Sequence, residues 1–570
     1  KHRIGHGIGH LIRCSRLVAE LNGEIDWWLP SEGGGGTFSR RTVQKLLGKP
    51  NVPVRWVDSP QGNYDLVLVD RREASLDRLQ SYHSSGLIVG LDLGGEGRQY
   101  CTYLIDTLPK EPSLSRPNIF DPGLLPLPET IRTNWPTRIE RVLLVFGGED
   151  GGRKAVGEIE RIANDDRFPS LSWSVVADPE FPLPENVERV NARGDLAARI
   201  NQFDLVITHF GLTAFEALWS KVPVLLVHPT RYHETLSQVG AFPEIGFKTI
   251  DCDQLSGWLD DPQSLVQRCR LIRPGARNSL ALLLDGLHVP QLHREMVPWD
   301  RKAPAIDRYA ERTYFQDPDN GLIYSAGVRG VEVRYNHDYF FAEYRDQYGR
   351  TYLEDFQHIA EIGQRRARDV LSVLRRRGRT LLDIGCAYGP FLQAAKGVGF
   401  SPVGLDVSCE AVDYAHREVG VPTFCGDILT VDLDRILEEG PFDVVTMWFV
   451  IEHFPDLSAL FSRIDRLLKP HGVLAFSTPN GAGISGRKDQ HEFLRRNPDD
   501  HYTVWTPRSA RTYLSGYGYR VRRVRITGHH PERFPIASRS NNSLVRKLAA
   551  AWSHAAGLGD TFEVYAERLR

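Results

Sequence analysis

A chain of 570 residues exceeds a single small domain and, at roughly 100–200 residues per domain, predicts three or four folding units or fewer large ones. With 41% hydrophobic, 10% aromatic and 25% charged residues, its composition is that of a globular protein with ample core, which excludes wholesale disorder. The 70 basic and 72 acidic side chains nearly cancel, so no overall field holds a polyanion, and nucleic acid is not an expected partner. The cysteines (14, 101, 252, 269, 386, 409 and 425) are odd in number and include no Cys-x-x-Cys pair. That pattern argues against a disulfide framework or a zinc ribbon and for a reducing cytoplasm, and no metal is expected. No apolar run reaches the roughly 18–20 residues of a membrane-spanning helix, and the opening KHRIGHGIGH lacks the apolar core of a signal peptide. The first residue is not Met, so residues upstream of Lys1 are expected.

Through residues 1–285, apolar runs of strand length alternate with helical patterns: YDLVLVD (64–70), GLIVGLD (86–92), RVLLVFGG (141–148), LSWSVVAD (171–178), FDLVITH (203–209) and VPVLLVHP (222–229). Continuous Val/Leu/Ile runs suit parallel strands buried on both faces. The Pro-rich stretch 110–136 interrupts the alternation and reads as a linker between two α/β lobes, 1–125 and 126–285, with a cleft between them. Residues 286–338 are less regular and separate the parts, with DPDNGLIYSAGVRG reading as a turn-rich hairpin. A third α/β unit, 339–570, opens on a helical pattern running to Arg377 and continues with RTLLDIG (379–385), SPVGLD (401–406), FDVVTMW (442–448) and GVLAFSTPN (472–480). It closes on RVRRVRITG (520–528) and DTFEVYAER (560–568), an expected antiparallel pair.

In LLDIGCAYGPFL a buried strand ends in Asp383, and Gly385 and Gly389 follow where the chain turns into a helix whose free N–H groups can face a ligand. Asp406 ends the next strand about twenty residues later, where a carboxylate can accept both ribose hydroxyls. Gly426, Asp427 and Ile428 fall at the end of a third strand. The pattern resembles class I S-adenosylmethionine-dependent methyltransferases over about 335–570, and FDVVTMWFVIEHFPD followed by LLKPHGVLAFSTPN is a familiar run in that family. The resemblance implies a Rossmann-like domain binding S-adenosylmethionine through Asp383, Gly385, Cys386, Gly389, Asp406, Val407, Asp427 and Ile428, with Met447 and Trp448 beside the sulfonium. Transfer to a hydroxyl needs alignment and a general base, and His453 and His501, both following strand ends on the cofactor face, are the candidates. The alternative for each is a capping or packing role. The aromatic segment 339–352 is similar to the helical lid of sugar-modifying relatives.

At the other end, GIGHLIR (7–13) opens a helical pattern and sets His10 in its first turn beside Gly9 and before Arg13, where a helix N-terminus can face phosphate and an imidazole can activate water. In THFGLTAFEALWSKVPVLLVHP (208–229) a strand leads through a glycine turn into a helix carrying Glu216. These segments, with FGGED (146–150), resemble the nucleotide-sugar site of GT-B glycosyltransferases, particularly the lipid II N-acetylglucosaminyltransferase group and the UDP-sugar hydrolases of pseudaminic acid synthesis. That resemblance implies a GT-B-like, two-lobed region in which Gly9, Arg13, Gly147, Gly148, Gly211, Leu212, Thr213 and Glu216 hold a nucleotide sugar, a UDP-sugar foremost, with His10 catalytic. The strand that should precede the first motif is missing, and Tyr232-His233-Glu234 stands where an Asn-Gln pair is usual.

Together these imply a bifunctional α/β enzyme of glycan or modified-sugar synthesis, a nucleotide-sugar hydrolase-like region fused to a methyltransferase acting on a sugar or glycan. A glycosyltransferase, with His10 deprotonating an acceptor, and a non-catalytic glycan-binding module stand as alternatives for the first half.

Overall fold

The computed structural model describes residues 8–21, 24–28, 53–57, 64–81, 87–146, 152–190, 196–287, 302–327, 344–345, 349–375, 377–534 and 543–569. The chain forms two compact units, Lys1–Leu287 and His288–Arg570.

In the first unit, β1 (Ile25–Trp28) pairs in parallel with β2 (Val54–Val57). The strands β3 (Leu66–Asp70), β4 (Leu87–Leu91), β5 (Tyr103–Asp106) and β6 (Ile119–Phe120) form a parallel sheet in chain order. A second parallel sheet contains β7 (Arg141–Leu144), β8 (Ser172–Val176), β9 (Val187–Val190), β10 (Leu205–Thr208), β11 (Val224–His228) and β12 (Glu244–Phe247), in the order β12-β11-β10-β7-β8-β9. The uninterrupted apolar runs are what such strands need, since β4, β10 and β11 are buried along their whole length. The Pro-rich stretch is more than a connector. Leu125 and Leu127 are buried in the core of the second sheet. The carbonyls of Pro126, Pro128 and Thr133 accept hydrogen bonds from Arg16, Trp219 and Lys221. A proline-rich backbone cannot join a ladder fully, so side chains satisfy its acceptors instead.

In the second unit, β13 (Ala305–Arg308), β14 (Arg312–Gln316) and β15 (Ile323–Gly327) run antiparallel. The expected hairpin is therefore present, and the Asp317 carboxylate accepts the N–H groups of Asp319 and Asn320 in its turn. The main sheet contains β16 (Thr380–Ile384), β17 (Ser401–Asp406), β18 (Thr423–Cys425), β19 (Phe442–Trp448) and β20 (Leu468–Pro479). The short β21 (Thr503–Val504) returns to β15, so the described part of the segment read as a separator, 305–327, is built into this unit by strand pairing. The terminal pair β22 (Tyr519–Thr527) and β23 (Thr561–Arg568) is antiparallel, as expected, and β23 also pairs antiparallel with β20. The 7-stranded order is β18-β17-β16-β19-β20-β23-β22. Chain order reverses on either side of β16, and the strand ends there open a crevice. The helix preceding β16 spans Phe356–Val373, and residues 339–343 lie outside the described region.

One sequence expectation is corrected. Cys409 and Cys425 form a disulfide, with Cα atoms 5.0 Å apart. They lie 16 positions apart in sequence, but parallel pairing sets Asp406 opposite Cys425, which brings the residues after β17 to the end of β18.

Candidate functional site

The site begins where β16 stops. Asp383 is 1% exposed, and its carboxylate accepts the Thr446 hydroxyl at 2.6 Å from the neighbouring β19. Burial pushes it up to about 7. Gly385 follows at φ +76, and a Cβ there would meet Val450 Cγ2 at 2.4 Å, so only glycine lets the turn pass beneath the loop after β19. Gly389, at φ +85, opens the helix Pro390–Gly397. Cys386 is buried in this turn.

Asp406 ends β17 with both oxygens set by backbone donors, since Ala387 N–H reaches one at 2.8 Å and Ser408 N–H the other at 2.9 Å. Burial raises its pKa against these donors. The Gly385–Gly389 turn and this carboxylate form a cradle in which Gly385 and Cys386 N–H are bonded to the Leu405 carbonyl and Ala387 N–H to Asp406, while the carboxylate keeps spare lone pairs. A nucleoside's vicinal hydroxyls suit that geometry. Val407 is half exposed beside it. Gly426 donates its N–H to the Asp406 carbonyl at 2.8 Å, Asp427 accepts from Leu429 N–H at 2.8 Å, and Ile428 is buried. The disulfide thus clips together the two segments carrying Asp406 and Asp427.

Of the aromatic segment, Tyr344 and Tyr352 are described, while 339–343 and 346–348 are not. The Tyr352 ring lies 5.1 Å from Tyr344 and 6.1 Å from Tyr388, and burial, then the charges of Tyr344, Asp406 and Asp383, raises its hydroxyl pKa. Tyr352 therefore belongs to the cradle's surroundings. The sequence signalled the segment but not this residue.

Beyond Trp448 the chain makes a short helical turn, Ile451–His453. Tyr502 N–H donates to the Glu452 carbonyl at 2.8 Å, and Ser325 N–H donates to the Tyr502 carbonyl at 2.8 Å. The β15–β21 sheet thereby holds residues 500–502 against the loop after β19. His453 Nδ1 lies 2.9 Å from Asp500 Oδ2, and the His453 and His501 rings are 4.6 Å apart, nearly perpendicular. Burial works to lower the His453 pKa, but the bond to Asp500 and the charge of Glu452 outweigh it, and the net shift is upward. His501 behaves oppositely. Burial and then His453 push it down to about 3, so it is neutral at working pH, and its Nδ1 lies 3.2 Å from Asn497 Oδ1. Glu452 is 1% exposed, and burial pushes it up to about 7. Ligand atoms of Glu452, His453 and His501 lie within 4.8 Å of one another, a spacing that could hold a metal ion, although no metal was expected from sequence. Asp500 and Glu452 escaped the sequence reading, because their meeting with His453 depends on strand pairing across distant segments.

Met447 and Trp448, expected beside the sulfonium, are neighbours at the end of β19. Met447 is fully buried in the core beneath the sheet. Trp448, on the opposite face of β19, lies edge-on to Phe391 and tilted against Tyr565, with the Arg366 guanidinium 4.4 Å from its ring centre. Strand alternation sends neighbours to opposite faces, and both faces here are packed.

In the first unit, Gly9 and His10 lie in the helix Ile8–Glu20, and the His10 side chain and Gly147 and Gly148 lie outside the described region. Arg13 is 5% exposed, and its guanidinium reaches Asp70 at 2.6 Å, Thr107 at 2.8 Å, and Asp92. It ties the helix to the ends of β3 and β4 and is occupied by these partners. Gly211 precedes the helix Leu212–Trp219, which carries half-buried Leu212 and Thr213 and buried Glu216. Burial pushes Glu216 up to about 7 against the pull of Arg16. Tyr232 lies under the Arg72 guanidinium at 3.6 Å, and His233, held down to about 3 by burial and His209, lies 2.8 Å from the Thr230 hydroxyl.

Residues 356–524 match the family model described as a methyltransferase domain. The chain is 32% identical over 128 residues to the ubiquinone biosynthesis O-methyltransferase of Thiobacillus denitrificans, covering 22% of this chain and 55% of that protein. It is 31% identical over 191 residues to the enzyme of the same name from Burkholderia vietnamiensis, covering 30% of this chain and 78% of that one. The chain thus spans about half the length of the first relative. Among solved structures, it is similar to a SAM-dependent methyltransferase from Archaeoglobus fulgidus at 17% identity and a TM-score of 0.28, covering 40% of this chain and 98% of that one.

Proposed function

The chain belongs to the S-adenosylmethionine-dependent methyltransferases through its second unit, and from this premise we propose that it methylates a hydroxyl oxygen on a sugar or glycan with His453 as the base. The observation carrying the proposal is the Asp500–His453 pair, placed directly after the loop that touches Gly385. S-adenosylmethionine is the methyl donor, and when bound it supplies an electrophilic methyl on a sulfonium. Asp406 and the Gly385–Gly389 turn hold its nucleoside and methionine portions, and Tyr352 shields them from water. His453 receives the acceptor's hydroxyl proton on Nε2 while Asp500 fixes the ring through Nδ1. His501, neutral and edge-on, packs the imidazole and is too weak a base for the role itself. Oxygen as the acceptor atom agrees with the names of the curated relatives.

The sugar or glycan as acceptor rests on the first unit, whose two parallel sheets and Gly211–Glu216 turn support a GT-B-like nucleotide-sugar site with hydrolase-like chemistry at His10. Enclosure of Arg13 favours a second reading, a binding module without turnover, in which Arg13 is a strut rather than a nucleotide-sugar ligand. Mass spectrometry after incubation with S-adenosylmethionine and a panel of nucleotide sugars and glycans tests both. A methylated acceptor supports the first proposal, released or transferred sugar supports the hydrolase or transferase reading, and methylation restricted to non-sugar phenols overturns the acceptor class.

Two further results are expected. Asp406→Ala removes charge-assisted hydrogen bonds worth about 1.5–3 kcal/mol, so calorimetry should read a roughly ten- to hundredfold weaker affinity for S-adenosylmethionine. Unchanged affinity would discard the assignment. Glu216→Ala should weaken UDP by about tenfold and leave S-adenosylmethionine binding as it is, because the residues lie in separate units. If the intact chain binds no nucleoside diphosphate, the nucleotide part of the proposal fails.

A further inference from the structure

The helix Ser543–Ala556, between β22 and β23, packs on the second unit through Val545, Ala549 and Ser553, with the Trp552 ring 5.5 Å from Phe534 and the His554 ring 3.6 Å from His529. Val545 and Ala549 pack on Phe534, Leu558 and Ile484, and Ser553 is buried against His529. Beside that face runs a second apolar stripe, at i, i+4 and i+8, formed by Leu544, Leu548 and Trp552 at 61%, 62% and 61% exposure. Ala551 and Ala555 lie on the same exposed arc, and Lys547 borders it. Stray surface leucines need no explanation, but two leucines and an indole aligned along one helix do.

The charge around the stripe says what covers it. From Arg533 to Gly559 the sequence contains no Asp or Glu, whereas it contains Arg533, Arg539, Arg546 and Lys547. Arg533 is spent on Asp560, whereas Arg546 and Lys547 are exposed on a helix whose sequence has no acidic residue, in a chain whose charges otherwise nearly cancel. A second copy of the chain is a poor occupant. The stripe offers on the order of a few hundred Å², short of the roughly 800 Å² per partner of a stable interface, and a two-fold pairing would oppose like charges. An apolar arc with an indole, with Lys547 at its edge, Arg546 on the polar side and no acidic residue along the helix, is the composition of a helix lying in the plane of a bilayer surface.

We propose that the helix Ser543–Ala556 is a peripheral membrane anchor that inserts Leu544, Leu548 and Trp552 among the acyl chains of an anionic lipid surface. It brings the methyltransferase crevice to acceptors carried on a membrane. The inference stands on this helix alone and is independent of the acceptor class.

The experiment is flotation of the full chain with vesicles of phosphatidylcholine alone or mixed with phosphatidylglycerol. The wild type should float at least about tenfold more with the anionic vesicles, and high salt should reduce this. The double variant Leu548→Glu/Trp552→Glu should lose flotation while keeping its S-adenosylmethionine affinity, and Leu548→Glu alone, which leaves the Trp552–Phe534 contact in place, should weaken flotation with the melting temperature unchanged. Lys547→Glu should weaken flotation only with anionic vesicles. Failure of the wild type to float, or flotation retained in the double variant, overturns the proposal. A wild-type dimer made monomeric by the double variant overturns it in favour of a contact between copies.

Discussion

His453→Asn is expected to lower methyl transfer by about 10²–10⁴-fold, the contribution of a positioned general base, while S-adenosylmethionine affinity stays within a factor of about two. The reason is positional. The imidazole contributes nothing to the Asp406 cradle, so its loss is felt only where the acceptor loses its proton. Asp500→Asn separates this role from simple packing. In the wild type the Asp500 carboxylate and Glu452 hold the His453 pKa above the ordinary imidazole value, against burial. A base works unprotonated, so activity rises with pH through that raised pKa. Without the Asp500 charge only Glu452 still opposes burial, so the His453 pKa falls, and the acidic limb of the rate profile should move to lower pH as the maximum rate falls. Full turnover in a folded His453→Asn protein, or an acidic limb that does not move in Asp500→Asn, would remove His453 from the chemistry.

The largest expected loss of stability comes from Glu563 on β23. This carboxylate is 1% exposed and accepts two hydrogen bonds from Arg365, both at 2.6 Å, one from Arg366 at 2.9 Å, and the Tyr565 hydroxyl at 2.8 Å. Burial opposes the charge, yet the two arginines hold the pKa down to about 2. Glu563→Gln leaves Arg366 buried with no carboxylate partner and should cost about 3–5 kcal/mol, roughly 10 °C in the melting temperature of this unit. The pH dependence carries a definite sign. A folded-state pKa near 2 against an ordinary 4.5 stabilises the protein fully above 4.5, by about 3 kcal/mol, and this contribution is lost as pH falls toward 2. Denaturation curves measured between pH 6 and pH 3 should fall for the wild type and flatten in Glu563→Gln. Equal slopes would mean that another carboxylate governs acid unfolding. Because Arg366 also lies over Trp448, the same variant should loosen the face of β19 opposite Met447.

Some residues were legible because their roles are local. Gly385 and Gly389 stand where a strand must turn into a helix, and Asp406 stands at the next strand end; both facts follow from apolar run lengths and glycine spacing. The antiparallel pair β22–β23 was legible for the same reason, since two long alternating runs at a chain end have few other ways to bury one face. The Asp317 turn followed from its Asp, Asn and Gly content.

Amino-acid order alone therefore determined the alternation of strands and helices in both units and the Asp406 cradle, because short-range sterics and period-2 or period-3.6 burial act within a few residues. Tertiary structure decided the rest. Asp500 meets His453 only because β21 pairs with β15, and Cys409 meets Cys425 only because β18 lies beside β17. Arg13, a nucleotide-sugar ligand by resemblance, is enclosed by Asp70 and Asp92 because two neighbouring strands end beneath its helix. Each of these is a contact across the chain, and the sheet register that sets it is a property of the whole fold.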